Sequence, residues 1–196
     1  MKRQRYALIL ICTMFISTMT VQQAFSQSNS PIDSLKNELR LFDAKKKALG
    51  ANAPKMIDTL KIEILRKLCA QYFAINPNEV FPYAKEELLL SQKIHFKKGI
   101  GNAHNVLGTY YDFKSNYPKA MEHYEIALQA KTETKDVIGQ MDLYNNIGVL
   151  YSNLANFPKA MQYLLKGLEI SRKANDIIGI FSSYNNIGII YQTQNL

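Results

Sequence analysis

Apolar side chains recur along this chain at helical spacing and share one face of each predicted helix. One such stripe has intervals of three, one and three residues: His104, Leu107, Gly108 and Tyr111. A second stripe follows Pro118, which fits a first helical turn: Ala120, Tyr124 and Ala127. These patterns predict two consecutive helices, each with one apolar face that needs a partner.

Six of the nine glycines form three pairs whose members are nine residues apart, and successive pairs are 40 residues apart. The pairs are Gly99 and Gly108, Gly139 and Gly148, and Gly179 and Gly188. The words around them repeat as well: residues 104–111, 144–151 and 184–191 are alike, and residues 116–121 return at 156–161. A fixed period of this length predicts helical hairpins that bury their apolar faces by stacking.

The repeated positions resemble the tetratricopeptide repeat family, whose signature is an aromatic residue, Leu-Gly, Tyr, Ala and a bulky apolar residue. The matching core positions are His104, Leu107, Gly108, Tyr111, Ala120, Tyr124 and Ala127, then Tyr144, Ile147, Gly148, Tyr151, Ala160, Leu164 and Gly167, then Tyr184, Ile187, Gly188 and Tyr191. The resemblance implies an all-α fold, a right-handed α-solenoid of antiparallel helix pairs. The period of 40 exceeds the usual ~34 and is similar to that of exported bacterial sensor proteins. It predicts a longer second helix and turn around 131–139 and 172–179.

The organisation expected from this pattern is a signal peptide at 1–26, a flexible tail and capping helix at 27–52, and repeats from 53 to 196. The repeats divide at about 53–97, 98–137 and 138–177, with a half repeat at 178–196. In the weaker first repeat the predicted core positions are Leu65, Leu68, Cys69 and Tyr72, then Ala84 and Leu88. The capping stripe is Ile32, Leu35, Leu39 and Phe42. The half repeat leaves its apolar face uncovered, which predicts either self-association or a missing C-terminal region.

The N-terminus reads as a secretory signal. Lys2, Arg3 and Arg5 precede an apolar run, and Ala24-Phe25-Ser26 offers a cleavage site. The run of roughly 15 residues is shorter than the ~20 that span a bilayer, although an uncleaved anchor stays open as an alternative and as the one route to membrane contact. We therefore expect an exported protein, on the periplasmic or extracellular face. Removing the signal lowers the formal net charge from +8 to +5.

In such a solenoid the first helices of successive repeats line the concave side, where partners bind. The positions beside the core face are Asn102, Asn105, Thr109 and Asp112, then Asp142, Asn145, Val149 and Ser152, then Ser182, Asn185, Ile189 and Gln192. Asn recurs at 105, 145 and 185, and a carboxamide can pair with the backbone of an extended peptide. The resemblance implies that role, whereas duplication of a water-facing position is the alternative. Asp112 and Asp142 disfavour a clamp for a terminal carboxylate.

No arrangement of residues predicts catalysis, a cofactor or a metal site. His95, His104 and His123 lack both i,i+4 spacing and a neighbouring Cys, so we expect His104 in the core and His123 on the surface. Cys69 lies in an apolar stretch and reads as a buried, inert thiol. The Lys45–Lys47 run is typical of a solvated helix end, so no nucleic-acid partner is expected.

The sequence therefore predicts a non-catalytic scaffold that binds a protein or peptide. The alternative is the extracytoplasmic sensor portion of a truncated signalling protein, either a histidine kinase or a transcriptional regulator.

Overall fold

The computed structural model describes residues 30–50 and 55–194, and no strand occurs within these ranges. Eight α-helices follow one another: α1 (Pro31–Leu49), α2 (Lys55–Ile75), α3 (Val80–Lys93), α4 (Lys97–Phe113), α5 (Tyr117–Glu133), α6 (Val137–Asn153), α7 (Phe157–Ala174) and α8 (Ile177–Thr193). A 3₁₀ turn at Pro77–Glu79 separates α2 from α3. None of these helices has both the length and the apolarity to cross a bilayer. The predicted signal segment lies outside the described residues.

Each helix packs mainly on its neighbours in sequence, and the first helices of successive pairs also contact one another. We call α2–α3, α4–α5 and α6–α7 the first, second and third units. This arrangement is the predicted α-solenoid, in which every unit is a helical hairpin and the stack supplies the core. In front of it, α1 buries Ile32 and packs Leu35, Leu39 and Phe42 against the first unit.

One turn geometry joins all helices from α3 to α8. Its third residue has a left-handed backbone, with φ between 53° and 56°, at His95, Ser115, Lys135, Ala155 and Asn175. The following amide bonds back into the preceding helix, as the N–H of Asn116 does to the carbonyl of Tyr111 at 2.8 Å. These bonds satisfy helix-end carbonyls and offset the ~1–2 kcal/mol that a left-handed conformation costs a residue other than glycine.

These turns are 20 residues apart, so the 40-residue period consists of two equal halves. The helices α4, α5 and α6 have 17 residues each. The extra length is therefore shared by both helices of a unit and is not concentrated in the second, as the sequence had predicted. Side chains cap the recurring helix starts: Asn116 accepts from the N–H of Lys119, and Asn156 from that of Lys159.

The second glycine of each pair allows the two helices of a unit to approach closely. A Cβ on Gly108 would lie 2.5 Å from the ring of Tyr124, and one on Gly148 would lie 2.7 Å from the side chain of Leu164. In the first unit, the register places Cys69 at the glycine position and Ala84 at the Tyr124 position. A larger residue on the first helix is thus matched by a smaller one on the second.

The first glycine of each pair lets each unit dock on the one before it. A Cβ on Gly139 would meet the methylenes of Lys131 at 2.6 Å, and one on Gly179 would meet the hydroxyl of Ser171 at the same distance. The predicted core positions of the second and third units are buried or half-buried. On α8, Tyr184, Gly188 and Tyr191 are exposed because no described helix covers them.

The first unit confirms Leu65, Leu68, Cys69 and Tyr72 as buried, whereas Leu88 is only half-buried. The 3₁₀ turn starts α3 at Val80, so Val80, Ala84 and Glu87 take the inner face instead. The prediction for Leu88 was wrong because Val80, and not Ala84, occupies the position equivalent to Ala120.

A pair of stacked rings recurs in each unit and was not foreseen. The rings join the end of the first helix to the second: Tyr72 with Tyr83, Tyr111 with His123, and Tyr151 with Tyr163. Their planes differ by only 13°, 11° and 17°, in that order. His123, expected on the surface, is therefore a half-buried part of the hairpin packing.

The glycine positions predict opposite effects of one substitution at equivalent sites. We expect Gly108→Ala to lower stability by about 1–2 kcal/mol, because overpacking against Tyr124 outweighs the gain in helix propensity. Gly188→Ala meets nothing within 4 Å and should raise helix stability by up to ~1 kcal/mol. Thermal unfolding followed by circular dichroism measures both, and a stabilised Gly108→Ala protein would contradict the close approach.

Candidate ligand-binding groove

The helices α2, α4 and α6, with the C-terminal end of α5, enclose two adjoining cavities of about 550 and 290 Å³. We call the two cavities together the groove. The predicted residues Asn102 and Asp142 line both, and Asn105 and Thr109 line the smaller one. The first helices of three successive units therefore line one concave surface, as the sequence predicted.

The groove extends one unit further towards the N-terminus than the sequence analysis foresaw. Glu63, Arg66, Ala70 and Phe73 of α2 line it, and they lie 39 residues before Asn102, Asn105, Thr109 and Asp112. The same offset relates the core positions Leu65 and Cys69 to His104 and Gly108. Extending the ladder by that offset would have revealed these groove residues from sequence.

Lys131 is a second groove residue that the sequence analysis missed. It comes from α5, at a position where the other units carry Ser91 and Ser171, and it lines both cavities while being only 4% exposed. Its ammonium group donates to the Oδ1 atom of Asn102 and to Oδ2 of Asp136 at 2.7 Å. Its departure from the serine of the other units was the available signal.

The predicted asparagine ladder does not present three equivalent side chains. Oδ1 of Asn105 accepts from the amide of Asn146 at 2.9 Å, and Asn105 remains half-buried at the groove. Asn145 is only 7% exposed, and its Oδ1 accepts from the hydroxyl of Ser183 at 3.0 Å. The prediction that Asn145 faces a ligand is therefore wrong, because Gly167 leaves room for its side chain between the helices.

Other predicted binding residues connect helices. Asp112 accepts from the amide of Asn153 at 3.1 Å, and although that bond opposes the shift, burial raises the pKa of Asp112. Thr109 donates to the carbonyl of Asn105 at 3.1 Å and accepts from the hydroxyl of Tyr124 at 3.3 Å. The remaining predicted residues line neither cavity: Val149, Ser152 and Ser182 are half-buried, and Asn185, Ile189 and Gln192 are exposed.

The charges that line the groove are balanced, and most are paired. Arg66 holds Glu63 through two hydrogen bonds, at 2.5 and 3.1 Å, which keeps the pKa of Glu63 below its usual value. Burial would raise the pKa of Asp136, but the bonds from Lys131 and from the N–H of Gly139 prevail and lower it.

Asp142 differs from the other groove carboxylates because it forms no ion pair within the described part of the chain. Desolvation by the surrounding helices raises its pKa, and the nearby Asp176 and Asp136 add to this effect against Lys131. Asp142 is thus a groove carboxylate whose oxygens are open to a donor from outside.

Beneath the groove, α3 buries a carboxyl group completely. Glu87 is fully buried, and within the described chain neither of its carboxyl oxygens has a hydrogen-bond partner. Burial raises the pKa of Glu87 to about 8, despite the opposing charges of Arg66 and Lys131. The side chain is therefore mainly protonated at neutral pH.

The thiol of Cys69 is completely buried beside Val80, and burial raises its pKa to about 12. It is thus a protonated, inert thiol, as predicted. Among the residues that the structure describes, no group of three or more His, Cys, Asp and Glu side chains could hold a metal ion.

The outer face of α8 is apolar and open. Ile177 and Ile178 are each 79% exposed and Phe181 is 73% exposed, and a Cβ on Gly188 would meet open space. The predictions that a second copy or a further segment covers this face stay predictions.

Comparison with known proteins agrees with this geometry. Residues 141–176 match the family model for the tetratricopeptide repeat. The fold is similar to that of BtubC (BKLC) from P. vanneervenii, with 19% identity and a TM-score of 0.67, over 83% of this chain and 65% of BtubC. It is also similar to MamA, with 21% identity and a TM-score of 0.52, over 83% of this chain and 80% of MamA. A search of curated proteins gave no match. These likenesses show the fold, and the chain spans less than two thirds of BtubC.

The buried carboxyl group predicts a pH dependence of stability. Because the folded-state pKa of Glu87 is raised above its unfolded value, its contribution to stability falls as pH rises from about 4.5 to 8. Glu87→Gln imitates the protonated acid, so we expect it to stabilise the protein by up to about 3 kcal/mol at pH 7 and hardly at all at pH 4.5.

Urea unfolding of both proteins at the two pH values measures this difference. Burial also lowers the pKa of His104 to about 4, which changes stability over the acidic range, but that change is common to both proteins and cancels. Equal effects of Glu87→Gln at pH 4.5 and pH 7 would contradict the assignment of a protonated Glu87.

Proposed function

We propose that this chain, in which residues 141–176 form a tetratricopeptide repeat, is a non-catalytic scaffold that binds an extended peptide segment of a partner protein in the groove. The observation that carries the proposal is that Asn102 and Asp142, from successive units, line both cavities of one concave surface. Solenoids use such continuous concave surfaces to bind other proteins.

The polar groups of the groove suit a peptide backbone. Oδ1 of Asn102 is engaged by Lys131, whereas the N–H groups of the same carboxamide have no partner within the described residues. They can donate to a peptide carbonyl, and the carboxylate of Asp142 can accept from a peptide N–H. An extended segment offers both groups at every residue, so recognition of the backbone needs no particular side chain.

Asp142 adds a preference for charge. The cations Arg66 and Lys131 are neutralised by Glu63 and Asp136, while Asp142 has no cation within 4 Å in the described chain. A Lys or Arg side chain of the ligand would supply the missing partner, and a partly desolvated ion pair is stronger than an exposed one. The groove therefore favours a segment with a basic residue near Asp142.

The sequence supports export as a further part of the proposal. The cations at residues 2, 3 and 5, the apolar run and the small residues of Ala24-Phe25-Ser26 have the order of a secretory signal. Binding would then take place on the periplasmic or extracellular face. Edman sequencing of the exported protein tests this part, because cleavage after Ser26 leaves Gln27 as the first residue.

A peptide array tests the binding proposal with variants that spare the fold. The full chain, labelled, is applied to an array of random peptides, and binding to the peptides retained by the unchanged protein is compared with binding by Asp142→Asn and Asn102→Ala. We expect Asp142→Asn to lose the peptides that carry Lys or Arg, and Asn102→Ala to weaken binding to all of them about tenfold, because it removes one backbone contact.

Glu169→Ala is the matched control, since Glu169 is an exposed carboxylate on α7 that pairs with Lys173 outside the groove. This variant should bind like the unchanged protein. If all three variants retain the same peptides with the same affinity, the groove is not the binding site.

A further inference from the structure

Two imidazole rings from different helices meet in the second unit. The Nδ1 atoms of His104 on α4 and His123 on α5 are 2.9 Å apart, and the ring centroids are 5.0 Å apart. The sequence separation of 19 residues concealed this pair from a search for i,i+4 spacing. The hairpin itself brings the two rings together.

The other units show that packing does not require imidazoles at these positions. The third unit has Tyr144 and Tyr163 there, with their ring centroids 6.2 Å apart, and the first unit has Leu65 and Tyr83. Apolar or phenolic side chains therefore satisfy the same hairpin geometry. The second unit differs by having a nitrogen ligand on both helices, with the two Nδ1 atoms facing each other.

The protonation state of the pair suits metal coordination. A histidine ligand must be neutral, because the metal takes the lone pair that a proton would occupy. Burial lowers the pKa of His104 to about 4, with a further contribution from His123, and burial lowers the pKa of His123 as well. Without a metal, one Nδ1 donates to the other. With each proton on Nε2, both Nδ1 lone pairs are available.

The spacing also selects a class of metal. Two metal–nitrogen bonds of about 2.0–2.1 Å that meet at a right angle place the nitrogens about 2.9 Å apart. Right angles occur in the square-planar and octahedral geometries of Ni²⁺ and Cu²⁺, for which imidazole is a suitable ligand. We propose that His104 and His123 form a two-histidine site for a divalent late transition-metal ion of this class, bound through both Nδ1 atoms.

The surroundings leave the site open to water ligands on one side. His104 is 8% exposed, whereas His123 is half-buried and has Glu122 beside it in sequence. The carboxylate of Glu122 adds negative charge near both rings, and Lys119, which lies over the ring of Tyr111 at 5.2 Å, opposes it. Water and a side chain such as Glu122 would complete the coordination.

Calorimetric titration of the untagged full chain with NiCl₂ at pH 7.5 tests the site. We expect one binding event that is about tenfold weaker in His123→Tyr and lost in the double variant His104→Tyr/His123→Tyr. The tyrosines reproduce the ring pair of the third unit, so the hairpin should still fold, as circular dichroism will show. His95→Asn, in an exposed left-handed turn, is the matched control and should leave binding unchanged.

Both cysteines of the sequence are present in every variant, so a difference in binding comes from the histidines. Equal binding of Ni²⁺ by the unchanged protein and the double variant would overturn the proposal. A second measurement needs no variant: in NMR spectra, substoichiometric Ni²⁺ should broaden the ring signals of His104 and His123 before those of His95. Broadening of His95 first would also overturn it.

Discussion

The contact between a helix backbone and a bulky side chain inside each hairpin is the constraint on which the rest of this structure depends. Tyr124 packs directly on Gly108, and Leu164 on Gly148, so the two helices of a unit lie closer than side chains on both would permit. Gly in a helix costs roughly 1 kcal/mol, and the packing of a buried ring or Leu side chain offsets that cost. The hairpins must then be stacked to bury their remaining apolar faces.

Stacking turns this local contact into a functional surface. Turns with one shared geometry, 20 residues apart, place the first helices side by side, so that Asn102 and Asp142 reach the same cavities. Lys131 belongs to both levels: its methylenes seat Gly139 of the next unit, and its ammonium group binds Asp136 and Asn102 at the groove. The geometry of the groove therefore follows from the way the units dock.

The sequence predicted what a period can encode: the hairpins, the helical face that each core residue occupies, and the first helices as the lining of a concave surface. It did not predict how side chains of one face divide between core and ligand. Asn105 and Asn145 share a position, yet Asn145 turns inward because Gly167 and Ser183 offer space and a donor. The His104–His123 contact joins two helices, so neither local pattern contained it. Such features depend on partners that lie far away in sequence.

A double-mutant cycle at the close approach tests the central account most directly. Gly108→Cys and Tyr124→Ala together would recreate the combination of Cys69 and Ala84 in the first unit. Each single change should be destabilising, by overpacking or by a cavity, whereas the double variant should be more stable than the sum of the two changes by at least about 1 kcal/mol. Additive effects, within about 0.5 kcal/mol in urea unfolding, would contradict the claim that this pair sets the spacing of the helices.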